Sequence, residues 1–365
     1  MYSPYTFYQR GINLRPSITT APFGHLPDDR AATLYTLTNR NGLVVKVADF
    51  GGIITEIHTP DRSGRLADIV LGFDSVEPYV DQSPYFGALI GRYGNRLRGG
   101  RFEIDGQGYQ LPVNNGTNHL HGGEHGFHQV LWNATAYQQG DSVGLTLTHC
   151  SADGEQGYPG ALDVTVVYEL TGDDAFNISF HAVTDQATPV NLTQHSYFNL
   201  AGEGDILGHE LLIAADGFTP IDDTSIPYGV IAPVEGTPFD FRRARPIGQQ
   251  IDQLDEQLGN GGGYDHNFVL NKAAHQVLSL AARLRDLGSG RVLELLTEEP
   301  GVQFYSGNFL DGSLRGKGRN YPYRGGLCLE PQHFPDSPNH PSFPNTILRP
   351  EEEYATVSTY KFSVD

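Results

Sequence analysis

The sequence predicts an all-β protein, a large antiparallel β-sandwich with few short helices. Three observations lead there. Gly (44) and Pro (23) together make up about 18% of the 365 residues, against roughly 12% in average usage, so turns are frequent. Charged residues are only 18% and aromatics reach 11%, a balance that suits buried sheet faces better than the charged surfaces of a helical bundle. The third observation is period: apolar alternation recurs along the chain, and helical spacing is rare.

Residues 1–30 are rich in Pro, Tyr and Arg and show no clear period; they are expected to form an N-terminal arm. A single domain is expected over 31–365, because no long Ser/Gly linker divides the chain and the five residues GNGGG at 259–263 are too few for one. Strand signals begin at about residue 33. Asn41-Gly42 lies between TLTNR and LVVKV as a two-residue hairpin signal. Asp105-Gly106 repeats the device between Phe102/Ile104 and Tyr109/Leu111. Val164, Val166, Tyr168 and Leu170 alternate, Thr171-Gly172-Asp173-Asp174 turns the chain, and Phe176, Ile178, Phe180 and Ala182 alternate again, which reads as an antiparallel pair with one buried face. The stretch PVNLTQHSYFNLAG at 189–202 reads as a strand with one wet and one apolar face. The best helical period is Ile247, Ile251, Leu254 and Leu258, ending at Gly259.

The formal charge of −19 repels nucleic acid and acidic membrane surfaces and is compatible with a neutral ligand. No run of about 18 apolar residues is present, so no membrane partner is expected. The first 20 residues carry no apolar leader segment, and a cytoplasmic location is expected. Cys150 and Cys328 are too few for a disulfide scaffold and read as reduced, mostly buried thiols.

Six polar segments can carry chemistry. His195, in 189–202, is the side chain suited to proton transfer near neutral pH. GRYGNRLRGGRF (91–102) gathers Asn95 and Arg96 among glycines but lacks the order of a phosphate loop. NHLHGGEHGFHQVLW (118–132) holds His119, His121, His125 and His128; the spacings match no standard zinc signature, and contact with a polar substrate by one or two of them is the better reading. GYDHNFVL carries Asp265, PGVQFYSGNFLDG carries Gln303, and GLCLEPQHFPDSPNHPSFP carries Glu330 at the end of an apolar run.

In order and wording these segments, with DGEQGYPG at 153–160 and LRPEEEY at 348–354, resemble the aldose 1-epimerase (galactose mutarotase) family over about residues 33–363. The resemblance implies a β-supersandwich acting on free hexoses such as glucose and galactose. A monomer or homodimer is expected, with no metal and no cofactor. Matched position by position, the catalytic base falls on Glu330 and the acid on His195. The second histidine falls on His121, and substrate-binding positions fall on Asn95, Arg96, Asp265 and Gln303. The chain departs from the family at Tyr93-Gly94, where Val-Ala is frequent. Free Glu titrates near 4.3 and His near 6.5, so a carboxylate base and an imidazolium acid are expected to coexist with modest tuning. Aromatic faces such as Phe304 are expected to cover the sugar. Three other readings remain. A sugar-binding module would keep the clamp without catalysis. A glycoside hydrolase would pair Asp265 with Glu330. An enzyme of phosphorylated sugars would need an added phosphate cluster.

Overall fold

In the computed structural model, residues 14–274 and 276–365 are described. Strands dominate, in three main sheets, all antiparallel. A nine-stranded sheet runs in the order Asn133–Gln139, Ser142–Ser151, Leu162–Leu170, Ala175–Thr184, Tyr354–Val364, Arg291–Thr297, Ser279–Arg285, Glu210–Ile213, Arg245–Pro246. A six-stranded sheet runs Tyr197–Phe198, Leu327–Gln332, Gly301–Tyr305, Asp265–Leu270, Ala215–Phe218, Ala232–Pro233. A five-stranded sheet takes its strands in chain order from Ser17–His25 to Leu66–Asp68. Within the stretch read as an arm, Ser17–His25 is therefore a strand paired with Ala31–Thr38; residues 1–13 lie outside the described residues.

Alternation decides how the sheets meet. Leu162–Leu170 buries every second residue, and its partner register, Leu170 opposite Phe176 and Val164 opposite Ala182, continues the apolar face across the hairpin. Those side chains meet Phe198, Phe268, Val302, Phe304, Leu327 and Leu329 of the six-stranded sheet in the main core. Phe198 stacks on Tyr360 at 5.7 Å between the two layers. With one face of the six-stranded sheet spent on the core, the residues at alternate positions face the other way. Tyr197, Tyr305 and Cys328 there join a second cluster with Leu71, Phe86 and Ile90.

Local signals hold where a turn is closed by its own residues. Asp105 (φ 52°) and Gly106 (φ 81°) form the expected two-residue turn, with Ile104 opposite Gln107. Asn41-Gly42 turns the chain too, but the loop is longer, because pairing stops at Thr38 and Val44. Asn39 organises that loop by accepting from the N–H groups of Asn41 and Leu43. The expected helix through 247–258 is not continuous. Ile247–Gln249 is one 3₁₀ turn and Glu256–Gly261 a separate short helix. Asp255, in extended conformation, caps the latter by accepting from Gln257 and Leu258, which starts the helix anew there. Leu254, counted in the apolar period, is fully exposed.

No helix among the described residues is long and apolar enough to cross a membrane. Both cysteines are free; Cys328 is buried, whereas Cys150 is exposed, against expectation.

Candidate active site

Register brings the distant segments together. Tyr197 pairs with Cys328, and two residues further along this antiparallel pair His195 stands beside Glu330. Their Nε2 and Oε1 atoms are 3.7 Å apart, both side chains buried. Gln303 lies directly opposite Glu330, and Asn267 opposite Gln303. Asn267, Gln303 and Glu330 thus form a row across three strands on the face turned away from the core. Asp265, on the same face by alternation, accepts from Gln303 Nε2 at 2.8 Å.

The 189–202 stretch is buried from Pro189 to Leu200 rather than half wet, with only Ala201 exposed. It forms three two-residue strand pieces, Thr188–Pro189, Thr193–Gln194 and Tyr197–Phe198. Its polar side chains serve the backbone. Asn191 donates to the carbonyls of Gly94 and His333, Gln194 to that of Gly87, and Asn199 to that of Gly325. His195 itself is fixed at both backbone groups, to Ala88 O at 2.9 Å and Gly87 N at 3.0 Å.

A second wall comes from the loops around 95 and 121. Arg96–Leu97 pairs with His119–Leu120. The Asn95 N–H donates to His121 Nδ1 at 3.1 Å and the His121 N–H donates to Asn95 O at 3.0 Å. Asn95 and His121 both have positive φ (62° and 51°), a conformation held by this exchange. Arg96 Nε donates to Asn115 Oδ1. Asp336 braces the same segment: its N–H donates to Arg96 O, and its Oδ1 accepts from the Arg98 N–H. Arg92 turns away from the site. Its guanidinium donates to Ser151 Oγ and to the carbonyls of Ser151, Ala152, Pro159 and Gly160, which is the structural use of the DGEQGYPG segment. His119 bridges Pro112 O and Tyr158 Oη, both at 2.7 Å, while His125 is exposed.

Burial sets the electrostatics. It drives His195 down to about 4, opposed by the ring's contact with its own carbonyl. It pushes Glu330 well above the usual carboxylate range, with the Asp265 charge adding to the rise and Arg96 opposing it. Asp265 is raised by burial and held back by Arg96. His121 is pushed well below its usual value by burial, then by His195 and Arg96. The expected coexistence of carboxylate and imidazolium with modest tuning therefore fails, because burial disfavours both charges. Glu330 Oε2, Gln303 Oε1 and both amide atoms of Asn267 are buried without partners, an arrangement that calls for a polar ligand.

His121, His195 and Glu330 present ligand atoms within 4.8 Å of one another, a grouping that the spacing within 118–132 does not reveal. With Nδ1 of His121 accepting from Asn95, the ring hydrogen is assigned to Nε2, and neutral His121 keeps no free lone pair for a metal. It is a hydrogen-bond donor instead.

All seven residues singled out from the sequence lie in this buried cluster or in the loops beside it. Phe304 does not: alternation puts it on the core face, stacked on Tyr264 at 5.2 Å. The site aromatics are Tyr85, Tyr197 and Tyr305. Tyr85 meets the edges of His121 and His128 at 4.7 and 4.8 Å. Asn267, Tyr85 and Cys328 were missed. Counting alternate positions from Asp265 and from Glu330 finds Asn267 and Cys328; nothing local marks Tyr85.

A family model described as aldose 1-epimerase matches residues 33–361. The chain is 46% identical to a rat galactose mutarotase over 351 residues, covering 95% of this chain and 99% of that one. It is 45% identical to a human galactose mutarotase, with the same coverage. An Escherichia coli aldose 1-epimerase is 40% identical over 92% of this chain and 96% of its own. Among solved structures, a galactose 1-epimerase from Lactobacillus acidophilus superposes with a TM-score of 0.84 at 28% identity, covering 96% and 99% of the two chains. A GalM/aldose epimerase homologue from C. elegans gives 0.83 at 30%, covering 90% and 97%.

Proposed function

The chain belongs to the aldose 1-epimerase family, and on that premise we propose that it interconverts the α and β anomers of free hexoses such as D-glucose and D-galactose, with Glu330 as base and His195 as acid. One observation carries the roles: a buried imidazole and a buried carboxylate 3.7 Å apart, with an unpartnered oxygen on the carboxylate.

Ring opening takes the proton from the O1 hydroxyl, breaks the C1–O5 bond and adds a proton to O5. Rotation about C1–C2 presents the other face of the aldehyde, and the reverse transfers close the ring. No net proton or electron is exchanged, so two groups sharing one proton suffice. Burial favours that state: Glu330 binds the first proton readily and His195 resists the second. Before sugar binds, this order favours the proton on Glu330. Sugar hydroxyls donating to Oε2, with Arg96 nearby, stabilise the carboxylate and shift the proton to His195 Nε2, from which opening begins. Neutral His121 donates a hydrogen bond through Nε2, and Asn95, Arg96, Asp265 and Gln303 hold the remaining hydroxyls. We assign the activity to the cytoplasm and to a domain spanning 31–365, in a monomer or homodimer using no metal or cofactor; the family match over 33–361 supports that domain.

Polarimetry on freshly dissolved α-D-glucose tests the roles. Glu330→Gln and His195→Asn are each expected to slow mutarotation about 10²–10⁴-fold, with far-UV circular dichroism unchanged. A near-parental rate in either folded variant rejects the assignment.

A further inference from the structure

The proposed chemistry uses only one nitrogen of His195. Its ring lies between two tyrosines, Tyr85 at 5.8 Å and 29° and Tyr197 at 5.2 Å and 23°. These contacts set the plane of the ring but do not distinguish its nitrogens. The ring edge does: Nε2 faces Glu330 Oε1 at 3.7 Å, and Nδ1 faces Cys328 Sγ at 3.5 Å. Cys328 precedes Glu330 by two residues on one strand, Leu327–Gln332, so both side chains reach the ring from the same sheet face. The thiol is fully buried. Burial, then the charges of Glu330 and Asp265, keep it protonated and neutral.

We propose that Cys328 is a positioning residue, its sulfur accepting the Nδ1 hydrogen of His195 and holding the tautomer whose Nε2 exchanges a proton with Glu330 and the sugar ring oxygen. The inference rests on the reading of His195 as the acid. A carboxylate at that place, as in serine-protease triads, orients the imidazole and also stabilises its charged form. A sulfur orients it without lending negative charge. The imidazolium thus remains a ready donor, in keeping with a histidine that burial already holds low. Among the described residues, Glu330 and His121 are the other titratable groups at the ring besides the two tyrosines, with His128, Arg96 and Asp265 beyond. The His195 carbonyl also favours a ring hydrogen, a contact that substitution at 328 leaves in place.

The test combines polarimetric kinetics of Cys328→Ala and Cys328→Ser with ¹⁵N NMR of the His195 ring. In the unsubstituted protein the spectrum is expected to show the hydrogen on Nδ1 and a bare Nε2. Cys328→Ala should lose about 10- to 100-fold in kcat, with KM within about twofold and a mixed tautomer signal. Cys328→Ser, with a hydroxyl acceptor, should recover most of the loss. A hydrogen on Nε2 in the unsubstituted protein, or full kcat in Cys328→Ala, overturns the proposal. The first of these needs no variant, so a misfolded substitution does not shield it. If His195→Asn retains its rate, the acid assignment itself has failed. If that variant is slow while Cys328→Ala is not, only the role of Cys328 falls.

Discussion

The Asn95 N–H donates to His121 Nδ1, and this bond decides what the histidine can do. With the hydrogen assigned to Nε2, His121 is able to donate to the oxygen of a ligand and offers no lone pair to a metal. Mutarotation is therefore expected to continue unchanged after dialysis against EDTA; a loss of rate restored by added divalent cation would show that His121, His195 and Glu330 hold an ion after all. Residue types were legible in the sequence: a titratable imidazole at 195, a carboxylate at 330 and amides between them. Their protonation was not legible, because it depends on burial. Free-solution values allow a carboxylate beside an imidazolium, whereas the dry pocket drives His195 to about 4 and Glu330 upward.

At the scale of elements, parity on each strand decides which side chains reach the pocket. Gln303 and Tyr305 face it, and Phe304 between them packs into the core. A motif such as PGVQFYSG contains the right segment but not the parity, since both faces of this strand are buried and the polar-apolar alternation that marks a half-exposed strand is lost. Gly301 has a steric reason. A Cβ there would lie 2.4 Å from Asn267 Oδ1 and 3.1 Å from the Phe334 ring. Gly301→Ala is expected to cost about 1–3 kcal/mol through overpacking. By displacing Asn267 beside Gln303, it should raise KM more than it lowers kcat. Thermal unfolding and steady-state kinetics check both, and an unchanged melting temperature with unchanged KM would show that the row has slack. The apolar period at 247–258 misled for the opposite reason: spacing alone ignored the Asp255 cap, which restarts the helix and leaves Leu254 in solvent.

Across the whole molecule, burial holds His121, His128, His195, His209 and His266 below the ordinary histidine value. Unfolding lets each bind a proton as pH falls below about 6.5, while the native state refuses it, so these groups withdraw stability on acidification. Raised carboxyls such as Glu330 and Asp265 act in the opposite direction. His266, lowered to about 3 among Phe218 and Phe239, isolates one term. From its unfolded value to pH 5 is about 1.5 units at about 1.4 kcal/mol each, so between about pH 7 and 5 the unsubstituted protein should lose about 2 kcal/mol more than His266→Phe. Urea titrations at the two pH values measure this, and parallel losses would contradict it. By itself the sequence determined the fold class, the hairpin at Asp105-Gly106 and the segments that supply the proposed site residues, because turn chemistry, alternation and side-chain type are local properties. Only the tertiary structure decided that His195 meets Glu330, that Cys328 lies at its other nitrogen, that Phe304 belongs to the core and that the proposed acid–base pair is buried. The first two depend on register between strands more than a hundred residues apart in the chain, the third on pairing with Leu329 and His266 across the sheet, and the last on the solvent that packing excludes.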